Sequence, residues 1–159
     1  MDNNTYIPIL LDTLIKKKNL LDSLLNITTS QEKYINEQIP DMDLFDQTLI
    51  EKENIITKIN QLDEGFEKIY TYVQEELIRK QIEHKEQIEA LQSLIRQITD
   101  KSTKIQALEL RNKVKLDAYF QMKKKEIKNF KTSSQTVSNY YKNMNNQYEG
   151  NSYFLDKKK

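Results

Sequence analysis

The sequence contains no cysteine, no tryptophan and one histidine, and only two glycines and two prolines in 159 residues. Without cysteine there is no disulfide, no thiolate metal site and no cysteine nucleophile. With so few turn formers, the many tight connections of a sandwich or a doubly wound sheet have no material, whereas long helices tolerate the composition. No apolar run approaches the ~20 residues that span a bilayer. The start, MDNNTYIPILLDTL, is acidic and polar, and Asp12 interrupts its apolar part. It lacks the basic region and small-residue cleavage site of a signal peptide. The expectation is a cytoplasmic protein with no membrane insertion.

Motifs that carry chemistry are also missing. There is no glycine-rich phosphate loop, no H-E-x-x-H, no nucleophile elbow and no calcium loop. His84, in RKQIEHKEQ, has no partners at metal-ligand or general-base spacing and reads as a solvated surface histidine. The pairs Asp41/Asp43 and Glu51/Glu53 read as helix-capping and surface charges. No catalytic, metal or cofactor residue is expected, and the chain is not expected to be an enzyme.

What is present is helical periodicity. In LFDQTLIEKENIITKINQLDEGFEKIYTYV, residues 44–73, the large apolar side chains fall at Phe45, Leu49, Ile56, Ile59, Phe66, Ile69 and Val73. Gaps of three, four or seven gather them on one face of an α-helix. Lys52 falls at the same seam, where its stem can lie along the stripe with the charged tip in water. Such a helix needs partner helices to cover it.

The rest of the chain supplies them. Ile7, Leu10, Leu11, Leu14, Leu21, Leu24, Leu25 and Thr28 mark a first helix over about residues 5–37, with Pro8 in its first turn. Its weak point is Asn26–Ser30, where β-branched and hydrogen-bonding side chains compete with the helix. Pro40 ends it, and Asp41 or Asp43 caps a second helix over about 41–64, with Gly65 either a turn or an interior position. A third stripe, Ile82, Ile88, Leu91, Leu94, Ile95 and Ile98, predicts a helix over about 66–98. The polar gap Thr99–Thr103 is the expected turn. Ile105, Leu108, Leu116, Tyr119, Phe120, Ile127 and Phe130 then mark a helix over about 103–131. The fold class is therefore all-α, an antiparallel, coiled-coil-like bundle of three to four long amphipathic helices within residues 1–131.

Residues 132–159 form a separate region, a flexible tail rich in Ser, Asn and Lys. It nonetheless holds Tyr140, Tyr141, Tyr148, Tyr153 and Phe154, five of the fourteen aromatics. Plain linkers seldom carry that many. Either the tail docks on a partner or it folds back on the bundle.

Charge is divided along the chain. Residues 1–80 hold 9 Lys/Arg and 15 Asp/Glu, a net of −6; residues 81–159 hold 16 and 9, a net of +7. The halves can attract each other side by side. Arg111–Lys131, with eight basic residues and two acidic, could in principle track phosphates. The near-neutral pI and the absence of a recognition motif favour a solvated helix face instead, so no nucleic-acid partner is expected. Lys16–Lys18 beside a Leu-rich face could lie on a bilayer, but Asp12, Asp22 and the neighbouring helix favour a buried hairpin.

The Leu-rich LLDTLIKKKNLLDSLL at Leu10–Leu25, the short link, and Glu51-Lys52, Ile55-Ile56, Ile59 and Leu62 together resemble the FlgN-type flagellar export chaperone family. The ending LDEGFEKIY at Tyr70 is similar to versions of this family from clostridial-type bacteria. The resemblance runs over about residues 5–130 and departs from the family pattern at Thr28-Thr29-Ser30. It implies a cytosolic helical bundle without catalysis. It implies partners as well: the C-terminal helical segments of hook–filament junction (hook-associated) proteins, kept from premature assembly and delivered to the flagellar type III export gate. The client-facing part is expected at Leu116, Tyr119, Phe120, Ile127 and Phe130, with Tyr140 and Tyr141 as tail contacts. Two alternatives stand beside this reading. One is a self-associating structural or adaptor coiled coil, since the same stripe can serve a second copy. The other is a sister chaperone whose client is the cap protein or flagellin.

Overall fold

A computed structural model describes residues 3–124 and 134–144, and side chains from residue 6 onward. Three long helices, α1 (Asn3–Ile35), α2 (Met42–Arg79) and α3 (Lys85–Lys123), run up, down and up. A fourth, α4 (residues 134–144), lies antiparallel to the C-terminal half of α3. There is no strand among the described residues. The chain is an all-α antiparallel bundle.

The expected stripes form the core. Ile7, Leu10, Leu14, Leu21 and Leu24 of α1 meet Phe45, Leu49, Ile56, Ile59, Phe66 and Val73 of α2, and Leu91, Ile98, Ile105, Leu116 and Phe120 of α3. Each such side chain, fully buried, contributes ~1.5–3 kcal/mol. The backbone of α1 packs closely against both α2 and α3, which approach each other less closely. A groove therefore runs between α2 and α3, and α4 covers part of it.

The α1–α2 link follows the sequence reading. Helix α1 ends before Pro40, and the Asp41 carboxylate caps α2 by accepting from the Leu44 N–H at 3.1 Å. Pro8 lies in the second turn of α1 rather than the first, because the helix already begins at Asn3. The weak stretch of α1 stays helical. Thr28, Thr29 and Ser30 donate back to the carbonyls of Leu24, Leu25 and Asn26 at 2.7, 2.8 and 3.1 Å, so their hydroxyls use the ladder instead of breaking it.

One alternative is resolved and one expected boundary is corrected. Gly65, either a turn or an interior position from the sequence, is interior to α2, which continues to Arg79. The turn expected at 99–103 is not formed, and α3 passes straight through it. Thr99 and Thr103 donate to the carbonyls of Ile95 and Thr99 at 2.8 and 2.9 Å, and Lys101 pairs with Asp22 of α1. Ile98 and Ile105, seven residues apart, keep the stripe unbroken across the polar gap. The fold-back occurs instead at residues 80–84, where Lys80 leaves the helical region at φ −113°, ψ 44°. Length matching accounts for it. Helices of 38 and 39 residues let both stripes run along the 33-residue α1. A turn near 100 would carry the stripe past the end of α1 into water. Ile82, assigned from its spacing to the third stripe, consequently sits in the turn and is 92% exposed.

The glycine yields a direct prediction. A Cβ at Gly65 meets nothing within 4 Å, and its φ is not positive. Gly65→Ala removes the backbone-entropy penalty of glycine in a helix, ~0.5–1 kcal/mol. The expected rise in melting temperature is about 2–4 °C by circular dichroism; a fall would mean that α2 bends at this position.

Candidate functional site

Polar side chains occupy stripe positions on all three long helices at one level of the bundle. On α1 the spacing Leu24, Thr28, Gln31, Ile35 places Thr28 and Gln31 in the core; on α2, Thr48 and Lys52 fall within the stripe; on α3, Ile105, Glu109, Asn112, Leu116 does the same with Glu109 and Asn112. All six polar residues are buried.

They form one hydrogen-bonded cluster centred on an ion pair. The Lys52 ammonium, fully buried, pairs with the Glu109 carboxylate and donates to Gln31 Oε1 at 2.7 Å. The Gln31 amide donates to Thr48 Oγ1 at 2.8 Å, and the Thr48 hydroxyl donates to the Phe45 carbonyl. Glu109 Oε1 also accepts from the Tyr140 hydroxyl at 2.9 Å, and it lies 3.3 Å from Thr28 Oγ1, which shares its one proton between Glu109 and the nearer Leu24 carbonyl. The Asn112 amide donates to the Thr28 carbonyl at 3.3 Å. Lys52 lies 4.5 Å from the centroid of the Tyr140 ring, within cation–π range. The sequence-based expectation that Lys52 reaches water is corrected: α4 closes over it, and Glu109 supplies the countercharge.

Helix α4 is thus seated on the cluster. Its buried residues, Val137, Tyr140, Tyr141 and Met144, follow the spacing i, i+3, i+4, i+7. The Tyr140 and Tyr141 rings meet edge-on at 5.2 Å. For this stretch the fold-back alternative holds, and the expected flexible tail does not apply to residues 134–144; Tyr148, Tyr153 and Phe154 lie outside the described residues.

Burial governs the titration of this cluster. Desolvation pulls the Lys52 pKa from 10.5 down to about 8, against the opposing pull of Glu109. Burial, followed by the charges of Glu109 and Asp117, pushes the Tyr141 phenol far up. The signs give a pH profile. Between about pH 8 and 10.5 the unfolded chain holds a proton on Lys52 that the folded chain releases, so stability rises with pH in that window. The rise is bounded by on the order of 3 kcal/mol, and below pH 8 the full penalty is present. Above pH ~10 the unfolded tyrosine ionises while Tyr141 keeps its proton, so stability falls. Urea midpoints should therefore peak between about pH 10 and 10.5. The Lys52→Met variant should lack the rising limb; an identical rise in that variant would assign it to other groups.

The residues expected to face a partner divide three ways. Leu116, Phe120, Tyr140 and Tyr141 are buried core side chains. Tyr119 is half-buried, with its ring 5.8 Å from that of Phe120. Ile127 and Phe130 lie outside the described residues. His84, expected on a wet face, is buried at the start of α3 with Nε2 3.8 Å from Glu76 Oε1. Thr28 was placed on the stripe of α1 by its spacing; Glu109, Gln31 and Asn112 were not anticipated. Their signal was available: polar residues in register with apolar columns, an acid on one helix and a base on another.

The apolar residues that remain open lie elsewhere. On α3, Leu110 at the edge of α4 and, farther from it, Val114 and Met122 are more than half exposed beside the basic Arg111, Lys113 and Lys115. At the α2–α3 hairpin end, Tyr70, Leu77 and Ile78 of α2 and Ile88, Leu91 and Ile95 of α3 line an open groove of about 410 Å³. Ile78 is 66% exposed there. Ion pairs between the halves of unlike charge, Arg111–Glu32 at 3.3 Å and Lys101–Asp22, join α3 to α1, and Lys17–Asp63 at 2.7 Å joins α1 to α2 within the first half. Among the described residues no helix is long and apolar enough to cross a membrane, and no cluster of His, Asp and Glu is placed to hold a metal ion.

A family model described as FlgN protein matches residues 1–148. No curated protein and no solved structure matches the chain.

Proposed function

The chain belongs to the FlgN family of flagellar export chaperones, and on that premise we propose that it binds the C-terminal helical segments of hook–filament junction proteins. Binding keeps those segments from premature assembly and brings them to the flagellar export gate. The observation that carries this reading is the family match, which spans nearly the whole chain. The mode is helix-in-groove recognition, in which the client lays an apolar stripe along apolar side chains the bundle leaves uncovered. The chaperone itself needs no reacting group for this, only a surface.

The test is co-purification of the full chain with C-terminal segments of junction proteins, with cap protein and flagellin segments run in parallel. Retention of the junction segments supports the proposal. Retention of the cap or flagellin segment alone would reassign the client. Failure to retain any of them, with the chain sedimenting as a stable oligomer, would favour the self-associating adaptor, for which the open Leu110, Val114 and Met122 provide the surface.

A further inference from the structure

The groove between α2 and α3 is a single feature with two halves. Helix α4 covers the half near Lys52 and Glu109: the Tyr140 hydroxyl bonds Glu109, and Tyr141 and Met144 line a pocket together with Gln106, Leu110 and Lys113 of α3. The other half, toward the hairpin end, is lined by Ile88, Ile95, Lys85, Gln92 and Glu89 of α3. These are positions of the same columns. Ile88 and Ile95 precede Glu109 by 21 and 14 residues, Lys85 and Gln92 precede Gln106 by the same intervals, and Glu89 precedes Leu110 by 21. Multiples of seven return to one face of a packed helix. The open half therefore continues the face on which α4 is seated.

The two halves differ in their floor. Under α4 the floor is polar, the Lys52–Glu109 pair, and α4 meets it with the Tyr140 hydroxyl and ring. At the hairpin end the floor is apolar, Tyr70, Leu77, Leu91 and Ile95, and the rim carries Gln81, Gln92 and one charge of each sign, Lys85 and Glu89. A helix entering here needs no buried hydroxyl and no strong net charge. It needs the α4 spacing with aliphatic or aromatic residues.

We infer that the hairpin-end half of the α2–α3 groove is the docking site for an amphipathic helix of a partner protein. That helix carries apolar residues at i, i+3, i+4 and i+7, and it seats in line with α4 on the same face of α3. For the identity of the partner the inference rests on the proposed function; the groove and the occupant's pattern follow from α4 and the shared columns. Ile78 closes over one side of the bound helix, and Ile88 and Ile95 interdigitate with its stripe.

The absence of native cysteine makes the test specific. Full-length chains carrying Ile78→Cys, or Lys58→Cys on the exposed face of α2 as control, are labelled with an environment-sensitive fluorophore. Each is titrated with the C-terminal segment of a junction protein and, separately, with a designed helix bearing leucines at i, i+3, i+4 and i+7. A blue shift at position 78 and none at 58 is expected with both probes. Ile78→Asp should weaken binding of each at least about tenfold while leaving the melting temperature unchanged, because the side chain is exposed. A junction segment that binds with the same affinity in Ile78→Asp, without a shift at 78, overturns this inference and leaves the proposed function standing. Binding of the designed helix alone keeps the groove and overturns the client. If neither probe binds, the groove is not a docking site. A shift at 78 that grows with protein concentration before any probe is added would assign the groove to a second copy of the chain, and one abolished by deleting residues 145–159 would assign it to the chain's own C-terminus; either overturns the inference.

Discussion

Glu109→Leu is expected to cost about 3–5 kcal/mol, a large share of the 5–15 kcal/mol that holds a domain of this size together. The variant leaves the Lys52 ammonium fully buried with Gln31 Oε1 as its remaining hydrogen-bond acceptor and the Tyr140 ring beside it. The Tyr140 hydroxyl loses its carboxylate at the same time. Replacing both charges, Lys52→Met with Glu109→Leu, removes the orphan and fills the space with apolar atoms. The double variant is expected to come within about 1 kcal/mol of wild type or to exceed it, since buried ion pairs gain little over well-packed apolar isosteres. Urea unfolding of the four proteins closes the cycle, and a coupling energy above about 2 kcal/mol is the expected result. Additive single effects would mean that Lys52 finds water without Glu109, and the sealed cluster described above would be wrong.

Tyr140→Ala should be the second costly change, at about 3–4 kcal/mol, because it deletes a fully buried aromatic and opens a cavity over the ion pair. Tyr140→Phe keeps the ring over Lys52 and loses only the hydroxyl bonded to Glu109, so about 1.5–3 kcal/mol is expected. The distribution of the loss matters as much as its size. An 11-residue helix is too short to persist alone in water, so α4 is helical because it is docked. Amide exchange across residues 134–144 should therefore accelerate far more in Tyr140→Ala than exchange in α1. Uniform acceleration along the chain would show that α4 unfolds only with the whole bundle.

These two variants concern residues that pattern reading treated in opposite ways. Tyr140 stood out in the sequence as an aromatic in a polar tail, a feature compatible with docking on a partner or on the chain itself. Nothing local distinguishes the two outcomes. The decision lies with Lys52 and Glu109, 57 residues apart, which meet only when α2 and α3 are both in place and which present an acceptor and a cation to a tyrosine. Glu109 itself looked like one more charge on a helix rich in charges. The apolar stripes, by contrast, were legible because periodicity is a property of each segment alone: Leu10, Leu14, Leu21 and Leu24 must share a face whatever they pack against. The same logic misplaced the turn. Residues 99–103 look like a break when read locally, yet their hydroxyls bond within the helix and Lys101 finds Asp22. Residues 80–84 carry neither glycine nor proline, and they turn because the length of α1 sets where two covering helices must reverse.

By itself, then, the sequence determined that this chain is helical, which faces are apolar, where α1 ends and α2 is capped, and the family to which it belongs. All but the last follow from spacing or from residue chemistry acting over a few positions; the family follows from similarity along residues 1–148. Only the tertiary structure decided where the chain reverses, that Lys52 is sealed rather than solvated, that residues 134–144 close one half of the α2–α3 groove, and that the other half stays open among the described residues. Those outcomes depend on the register between helices and on charges brought together across the bundle, and no periodicity along a single segment encodes them.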